Sequence, residues 1–316
     1  MKQSFQHIGL AKLCAWFGIT RQAYYQNNWE GVSTTLEEDL IIQRVKEIRK
    51  NHRRMGTRKL YEMLQPFILE HQIKIGRDAL FNMLSANHLL VRKRKRRIQT
   101  TNSFHWLRKY PNLIREFVPT APNQLWVSDI TYWKISTGEH LYISFITDAY
   151  SHKIVGYQVA ETMETIESMQ ALQMALSALG AKSHLNLIHH SDRGIQYCSH
   201  AYVKLLQDNG IKISMTENGD PLENAIAERV NGILKEEYLE HYEINNLDEA
   251  KKQLKKAIQL YNNERPHLST SYITPNKVHS QKSLEHKRLW KNYYKKLNNF
   301  TQNYPVNLSQ DLSNNL

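Results

Sequence analysis

The sequence predicts an α/β domain preceded by a purely helical segment, and three observations carry that prediction. From Gln124 onward, three stretches with strand-like patterning follow one another with only turns between them. After them, helical periodicity alternates with short apolar runs, which is the order of packed α/β layers. Before Pro122 the periodic segments are all helical, and the charge excess is concentrated there. Residues 1 to 120 hold 22 Lys and Arg against 9 Asp and Glu, a net of +13, whereas residues 121 to 316 hold 20 against 21, a net of −1. A bland soluble face is one explanation, but a one-sided excess of this size more often marks a segment that binds a polyanion.

A chain of 316 residues exceeds one small core and predicts two or three domains. It has no run of 18 apolar residues and no cleavable signal pattern, so a soluble, intracellular protein with no membrane partner is expected. The only cysteines, Cys14 and Cys198, fit a reducing compartment and argue against a Cys-based zinc finger.

In the helical segment, Gly9 to Gln26 reads as two short helices around a break at Gly18-Ile19-Thr20, with Leu13, Cys14 and Phe17 at helical spacing and Thr20 as the cap. Such a pair resembles a helix-turn-helix, although plain helical hairpins share its length. Leu36 to Lys50 is a long amphipathic helix with Leu40, Ile41, Val45 and Ile48 on its apolar side, ending in the basic segment Arg49 to Arg54. Two further helices start after Gly56 and Gly76. Their Arg58, Lys59 and Arg77 have two readings, phosphate contacts or the wet face of a bundle.

Arg92, Lys93, Arg94, Lys95, Arg96 and Arg97 are six basic residues in a row. Such a run is either a solvated linker or a clamp on a DNA backbone, and both can hold at once. From there to Pro122, with prolines at 111, 119 and 122, an extended linker is expected. The strands of the α/β domain are read at Leu125 to Ile135, Leu141 to Thr147 and Lys153 to Ala160, and a helix at Thr165 to Leu179 presents Met169, Leu172, Leu176 and Leu179 on one face. Leu185 to His189 is a short strand, Ala201 to Leu206 a helix, and Ile211 to Met215 a last strand. After the turn residues Asn218-Gly219, Asp220-Pro221-Leu222-Glu223 specifies a helix start. In that helix Leu222, Ile226, Val230 and Ile233 form the apolar stripe, and Asn224, Glu228, Asn231 and Lys235 a polar one expected to lie off the packing face. Leu247 to Asn262 is a further amphipathic helix, another follows from Lys282, and the Asn-rich end from Asn298 is expected to be disordered.

One residue contradicts the apolar patterning. Asp129 lies in the middle of the strand Trp126-Val-Ser-Asp129-Ile-Thr-Tyr132, where an ionised group needs a partner or a cation. Two acids downstream qualify: Asp192, in His189-His-Ser-Asp-Arg-Gly194 at a strand end, and Glu228, in the polar stripe with 35 residues between it and Asp192. Three acids on a strand, after a strand and on a helix resemble the DDE triad of transposases and retroviral integrases. The contexts Asp129-Ile-Thr-Tyr132, His190-Ser-Asp-Arg-Gly194, Glu223-Asn-Ala-Ile-Ala-Glu228 with Leu234-Lys235-Glu236, and Tyr261-Asn-Asn-Glu-Arg-Pro-His267 with Thr274-Pro275 resemble one group in particular. That group is the insertion-sequence transposases whose second reading frame encodes an integrase-like core, and the resemblance extends to about residue 280. The group usually has an Asp where this chain has Glu223.

The resemblance implies an RNase H-like catalytic core, a mixed sheet flanked by helices, behind helix-turn-helix segments. Its domains would be a helix-turn-helix at 1–30, a second helical DNA-binding segment at 31–91, a linker at 92–122, the core at 123–280, and a helix with a disordered tail at 281–316. It implies a DNA transposase that cleaves and joins strands at the ends of an insertion sequence. Water attacks first, the released 3′-hydroxyl second, and no covalent enzyme intermediate forms. Two Mg²⁺ ions, with Mn²⁺ as a substitute, would be held by Asp129, Asp192 and Glu228, Asp129 bridging both. Lys235 and Arg193 would touch phosphates. The implied partners are terminal repeats and target DNA, further copies of the chain on DNA, and a first-frame product, in a prokaryotic cytoplasm at the nucleoid.

Two alternatives are a helix-turn-helix DNA-binding protein with an inactive core, against which the intact triad stands, and a stand-alone RNase H-like nuclease, which leaves the basic helical segments without a purpose. Asp148 reads as a turn residue, and His189 and His190 as packing beside Asp192. Ser191 is no hydrolase nucleophile, because adjacent residues on a strand point apart. Arg265 and His267 are read as phosphate contacts.

Overall fold

The computed structural model describes residues 8–91, 106–179, 186–217 and 224–280. The basic run at 92–97, the turn and helix start at 218–223 and the helix and tail from 281 lie outside the described residues. The chain divides into two compact units, Met1–Arg94 and Lys95–Leu316. Among the described residues no helix is long and apolar enough to cross a membrane.

The first unit is all helical: α1 (Leu10–Trp16), α2 (Arg21–Asn51), α3 (Thr57–Glu70) and α4 (Arg77–Ala86). α2 begins directly after Thr20, as the capping pattern requires, but it does not stop near Gln26. One helix of 31 residues takes the place of the two expected, and the expected domain boundary at 30/31 falls inside it. Ile41, Val45, Met55, Leu60, Leu64, Leu80 and Leu84 form the core. Burying such aliphatic side chains contributes roughly 1.5–3 kcal/mol each, which is what holds helices of middling propensity in place. Arg49, read as part of a basic segment, donates instead to the carbonyls of Leu89 (2.6 Å) and Met55 (3.3 Å), tying the end of α2 to the chain after α4. Arg58 is exposed and Lys59 half-buried at the start of α3.

The second unit is a five-stranded sheet between two helical layers. Its strands are β1 (Leu125–Lys134), β2 (His140–Asp148), β3 (Ile154–Ala160), β4 (Ile188–Ser191) and β5 (Lys212–Met215), in the order β3-β2-β1-β4-β5. β1–β2 and β2–β3 are antiparallel hairpin neighbours, whereas β1–β4 and β4–β5 are parallel and need crossover helices. The crossovers are α5 (Thr165–Ser177), between β3 and β4, and α6 (Ile195–Cys198) with α7 (His200–Asp208), between β4 and β5. Then come α8 (Ala225–Leu234), a π turn (Lys235–Leu239), α9 (Leu247–Asn263) and the short α10 (Pro275–Ser280). This mixed sheet with three antiparallel strands first is the RNase H-like arrangement.

Strand alternation divides the core. Trp126 and Ile146 point to one side and pack with Ala171, Leu172, Ala175, Tyr202 and Leu206 of α5 and α7. Trp133, Ile143 and Phe145 point to the other and pack with Val230, Ile233, Leu254 and Ile258 of α8 and α9. The large apolar residues expected on the α5 packing face are only partly its contact: Met169 and Leu176 are half-buried, while Ser168, Ala171, Leu172 and Ala175 are buried. Gly156 of β3 explains this, since a Cβ there would meet the Ala171 carbonyl oxygen at 2.2 Å and Ala175 Cβ at 3.0 Å. The helix lies against the strand backbone, and only small residues fit between.

The segment before β1 has no regular structure from residue 106, as its prolines require, yet it does not run free. Pro111 O accepts from Met215 N (3.3 Å), Leu113 N donates to Ser214 Oγ (2.9 Å), and Arg115 pairs with Glu217 (2.5 Å), so it runs beside the β5 edge.

Candidate active site

β1 is flanked on both sides only over its first half. Its pairs with β4 run from Leu125↔Ile188 to Val127↔His190. Residues 125–128 are accordingly buried, and from Asp129 the strand is only partly covered. Continuing the parallel register by two places sets Asp192 level with Asp129, and level residues of parallel strands project to the same face. This is the point where the sheet order reverses at the carboxyl end of a parallel pair, where α/β folds open a crevice. Asp192 follows the last residue of β4. Gly194 N donates to its Oδ1 at 3.0 Å, and a Cβ on Gly194 would lie 3.0 Å from that same oxygen, so the glycine gives the carboxylate its room.

The third acid comes from α8. The face of β1 that carries Leu125, Val127, Asp129, Thr131 and Trp133 looks toward this helix, and because its middle is polar the helix meets it with a polar stripe. Asn224 Nδ2 donates to Ser128 O (3.0 Å), Asn231 Nδ2 to Asp129 Oδ2 (2.8 Å), and Lys235 Nζ to Thr131 Oγ1 (3.4 Å). Glu228 lies four residues after Asn224 and three before Asn231, on the same helix face, and so faces Asp129. The expectation that this stripe stays off the packing face is therefore corrected. Asn224 and Asn231 are buried, and they dock the helix onto the strand. Their roles went unread because the sequence shows a polar helix face without showing the acid it is built to meet.

The electrostatics follow from this convergence. Asp129 accepts from Ile130 N (2.9 Å) and from Asn231, yet burial, then the negative charges of Asp192 and Glu228, push its carboxyl up to about 8. Beneath, on the opposite face of β1, His189 Nε2 lies 2.7 Å from Ser128 Oγ and 3.0 Å from Tyr202 Oη. Burial, with His190 beside it, pushes His189 down to about 3, so the ring is neutral packing that supports the strand. His190 Nδ1 lies 2.8 Å from Ser214 Oγ, and Ser191 Oγ donates to the Asp192 carbonyl (3.0 Å). Tyr197 is buried beside the same acids. Burial first, then Tyr202, Asp192 and Asp129, hold its phenol well above the usual value, and its hydroxyl has no hydrogen-bond partner among the described residues.

Other expected residues fall elsewhere. Asp148, 0% exposed, accepts from Asn123 N (2.7 Å), Ser151 N (2.7 Å) and Ser151 Oγ (2.6 Å), and anchors the β2–β3 turn. Arg193, half-buried, follows Asp192 directly. Arg265 is not a phosphate contact: it is 1% exposed and forks onto Glu237, Nε to Oε2 and Nη2 to Oε1, both at 2.7 Å. His267 is buried with it, stacked 5.4 Å from the His152 ring.

The donor set fits a divalent cation. Its groups are hard carboxylate oxygens, mutually repelling, with the buried amide oxygens of Asn224 and Asn231 lacking hydrogen-bond partners among the described residues. No three His, Cys, Asp or Glu side chains among the described residues surround a single point.

Integrase core domain families match residues 119–221 and 209–275. The fold is similar to the HTLV-2 integrase catalytic core domain, with a TM-score of 0.42 and 23% identity over 51% of this chain and 98% of that one. The chain is 38% identical over 267 residues to the insertion element IS600 uncharacterized 31 kDa protein of Shigella sonnei, across 83% of this chain and 96% of that protein. It is 31% identical over 270 residues to the transposase for insertion sequence element IS629, also of Shigella sonnei, across 82% and 88%. With the sheet, the meeting of acids at its switch point and relatives matched over nearly their whole length, the chain belongs to the insertion-sequence transposases built on an integrase core domain.

Proposed function

We propose that this DNA transposase cleaves and joins strands at the ends of its insertion sequence with Asp129, Asp192 and Glu228 as the catalytic, metal-holding residues. The observation that supports this best is the register: it brings Asp192 level with Asp129, while the two asparagine bonds of α8 bracket Glu228 over the same carboxylate. Divalent cations, two Mg²⁺ or Mn²⁺ in its place, would supply stabilisation of charge on the attacking and leaving oxygens of an in-line displacement. The chain's own groups do the rest. Asn231 and Ile130 N–H fix the orientation of the Asp129 carboxylate, and Gly194 N–H fixes that of Asp192. Neutral His189 keeps charge away from the rear of β1. Lys235, bonded to Thr131 on the strand that carries Asp129, and Arg193, next in sequence to Asp192, are assigned to phosphates of the bound end, first when water attacks and again when the freed 3′-hydroxyl does. The helical unit, with Arg58, Lys59 and the run Arg92 to Arg97, is assigned to DNA beyond the cleaved bond, with its helix-turn-helix pairs reading the terminal repeats. Strand transfer joins two ends to one target, so a homo-oligomer on DNA is the expected working form, alone or fused to a first-frame product.

The test is incubation with element-end DNA and Mg²⁺. Wild type should nick and join, while Asp129→Asn, Asp192→Asn and Glu228→Gln should each lose both activities by at least about a thousandfold and still bind the end DNA. Asp148→Asn should lower Tm, since it weakens buried hydrogen bonds of about 1–3 kcal/mol, and keep the chemistry. Near-normal cleavage by any of the first three variants would remove that residue from the site.

A further inference from the structure

The π turn after α8 has two working faces. In front, Lys235 Nζ lies 4.0 Å from the centre of the Tyr132 ring and 3.4 Å from Thr131 Oγ1, on the strand that carries Asp129. Behind, Tyr238 and Leu239 are buried in the core, and Glu237 receives the two-pronged Arg265 bond from the end of α9. The rest of that guanidinium is satisfied as well: Nη1 donates to His267 Nε2 (3.0 Å) and to Pro266 O (3.4 Å).

A buried pair of this kind is a poor stabiliser, because removing both charges from water offsets most of their attraction. Its bidentate geometry fixes direction instead. The element it holds also needs holding, since i→i+5 turns are uncommon and occur mostly as single turns at functional places in helices. The turn closes with Glu240 N on Lys235 O at 3.0 Å, so the residue bearing the forward ammonium is the first of the turn that Arg265 grips from behind.

We infer that Arg265 and Glu237 are positioning residues for strand transfer: their fork anchors the π turn so that the Lys235 ammonium is presented to a DNA phosphate on the Asp129 side of β1. This rests on the assignment of Lys235 to a phosphate. It also gives the segment Tyr261 to His267 a part in the reaction without contact with DNA.

A double-mutant cycle on the full chain tests it. Joining of pre-cut element-end DNA with Mg²⁺ is followed against DNA concentration for wild type, Glu237→Gln, Lys235→Ala and the double variant, with Tm measured for each. Glu237→Gln should raise KM for the end roughly tenfold in the wild-type background and less than about twofold when Lys235 is already Ala, because coupled residues are not additive. Arg265→Lys keeps the buried charge but loses the fork, and it should show the same dependence on Lys235. Equal losses in both backgrounds would overturn the inference and reduce the fork to a fold anchor, leaving the assignment of Lys235 intact. An unchanged KM for Lys235→Ala alone would remove that assignment, and the inference with it.

Discussion

Asp129 accepts two good hydrogen bonds and still holds its proton to about pH 8, because burial and two neighbouring acids outweigh the donors. The sign of the consequence follows from linkage. A carboxyl whose folded-state value is raised favours the fold while protonated, so its contribution is fully present below the ordinary value of 3.8 and is lost as the pH rises through about 8. Without divalent cations, Tm of the wild-type chain should therefore fall across that window, and Asp129→Asn should flatten the fall. Added Mg²⁺ should raise Tm most at the upper end, where the carboxylate is ionised and a cation relieves the repulsion. A variant profile parallel to wild type would mean that the acids do not crowd one another.

At the scale of elements, the sequence carried the strands and the helices after them, because period-2 and period-3.6 patterns report burial directly, and it singled out Asp129, because an acid inside a strand violates them. It did not carry what an element's polar residues meet. Asn224 and Asn231 read as part of a polar stripe off the packing face, yet they bond to Ser128 O and Asp129. Arg265 read as a phosphate contact, because nothing in a linear chain shows that Glu237, 28 residues earlier, stands opposite. Asn262 is a third instance: its Oδ1 accepts from Ile154 N and its Nδ2 donates to Ile154 O, both at 3.0 Å, so its side chain acts as a neighbouring strand for the outer edge of β3. Edges left open invite pairing with other chains. Asn262→Ala leaves a buried N–H and C=O unpaired, which should cost about 2–4 kcal/mol and lower Tm while end cleavage below that temperature persists. A silent substitution would show that water replaces the amide.

Across the whole molecule, charge and chemistry separate along the chain. The unit boundary falls inside the basic run, between Arg94 and Lys95, and the positive excess lies in residues 1 to 120, net +13, while residues 121 to 316, which hold the sheet and its helices, net −1. A near-neutral core gains little from long-range attraction to DNA, so association should depend mainly on the helical unit and the run at 92–97. Counterion release makes this measurable. Each phosphate neutralised adds about 0.9 to the slope of log K against log salt, so replacing all six residues Arg92 to Arg97 with neutral ones should flatten the slope by up to about 5. The loss should be the same for element-end DNA and for unrelated DNA, because phosphate contacts carry no sequence information. Fluorescence anisotropy of end DNA with the full chain, titrated at several salt concentrations, reads both quantities. An unchanged slope would make the run a linker that DNA does not touch, and would move the polyanion contacts to the exposed helix faces around Arg58.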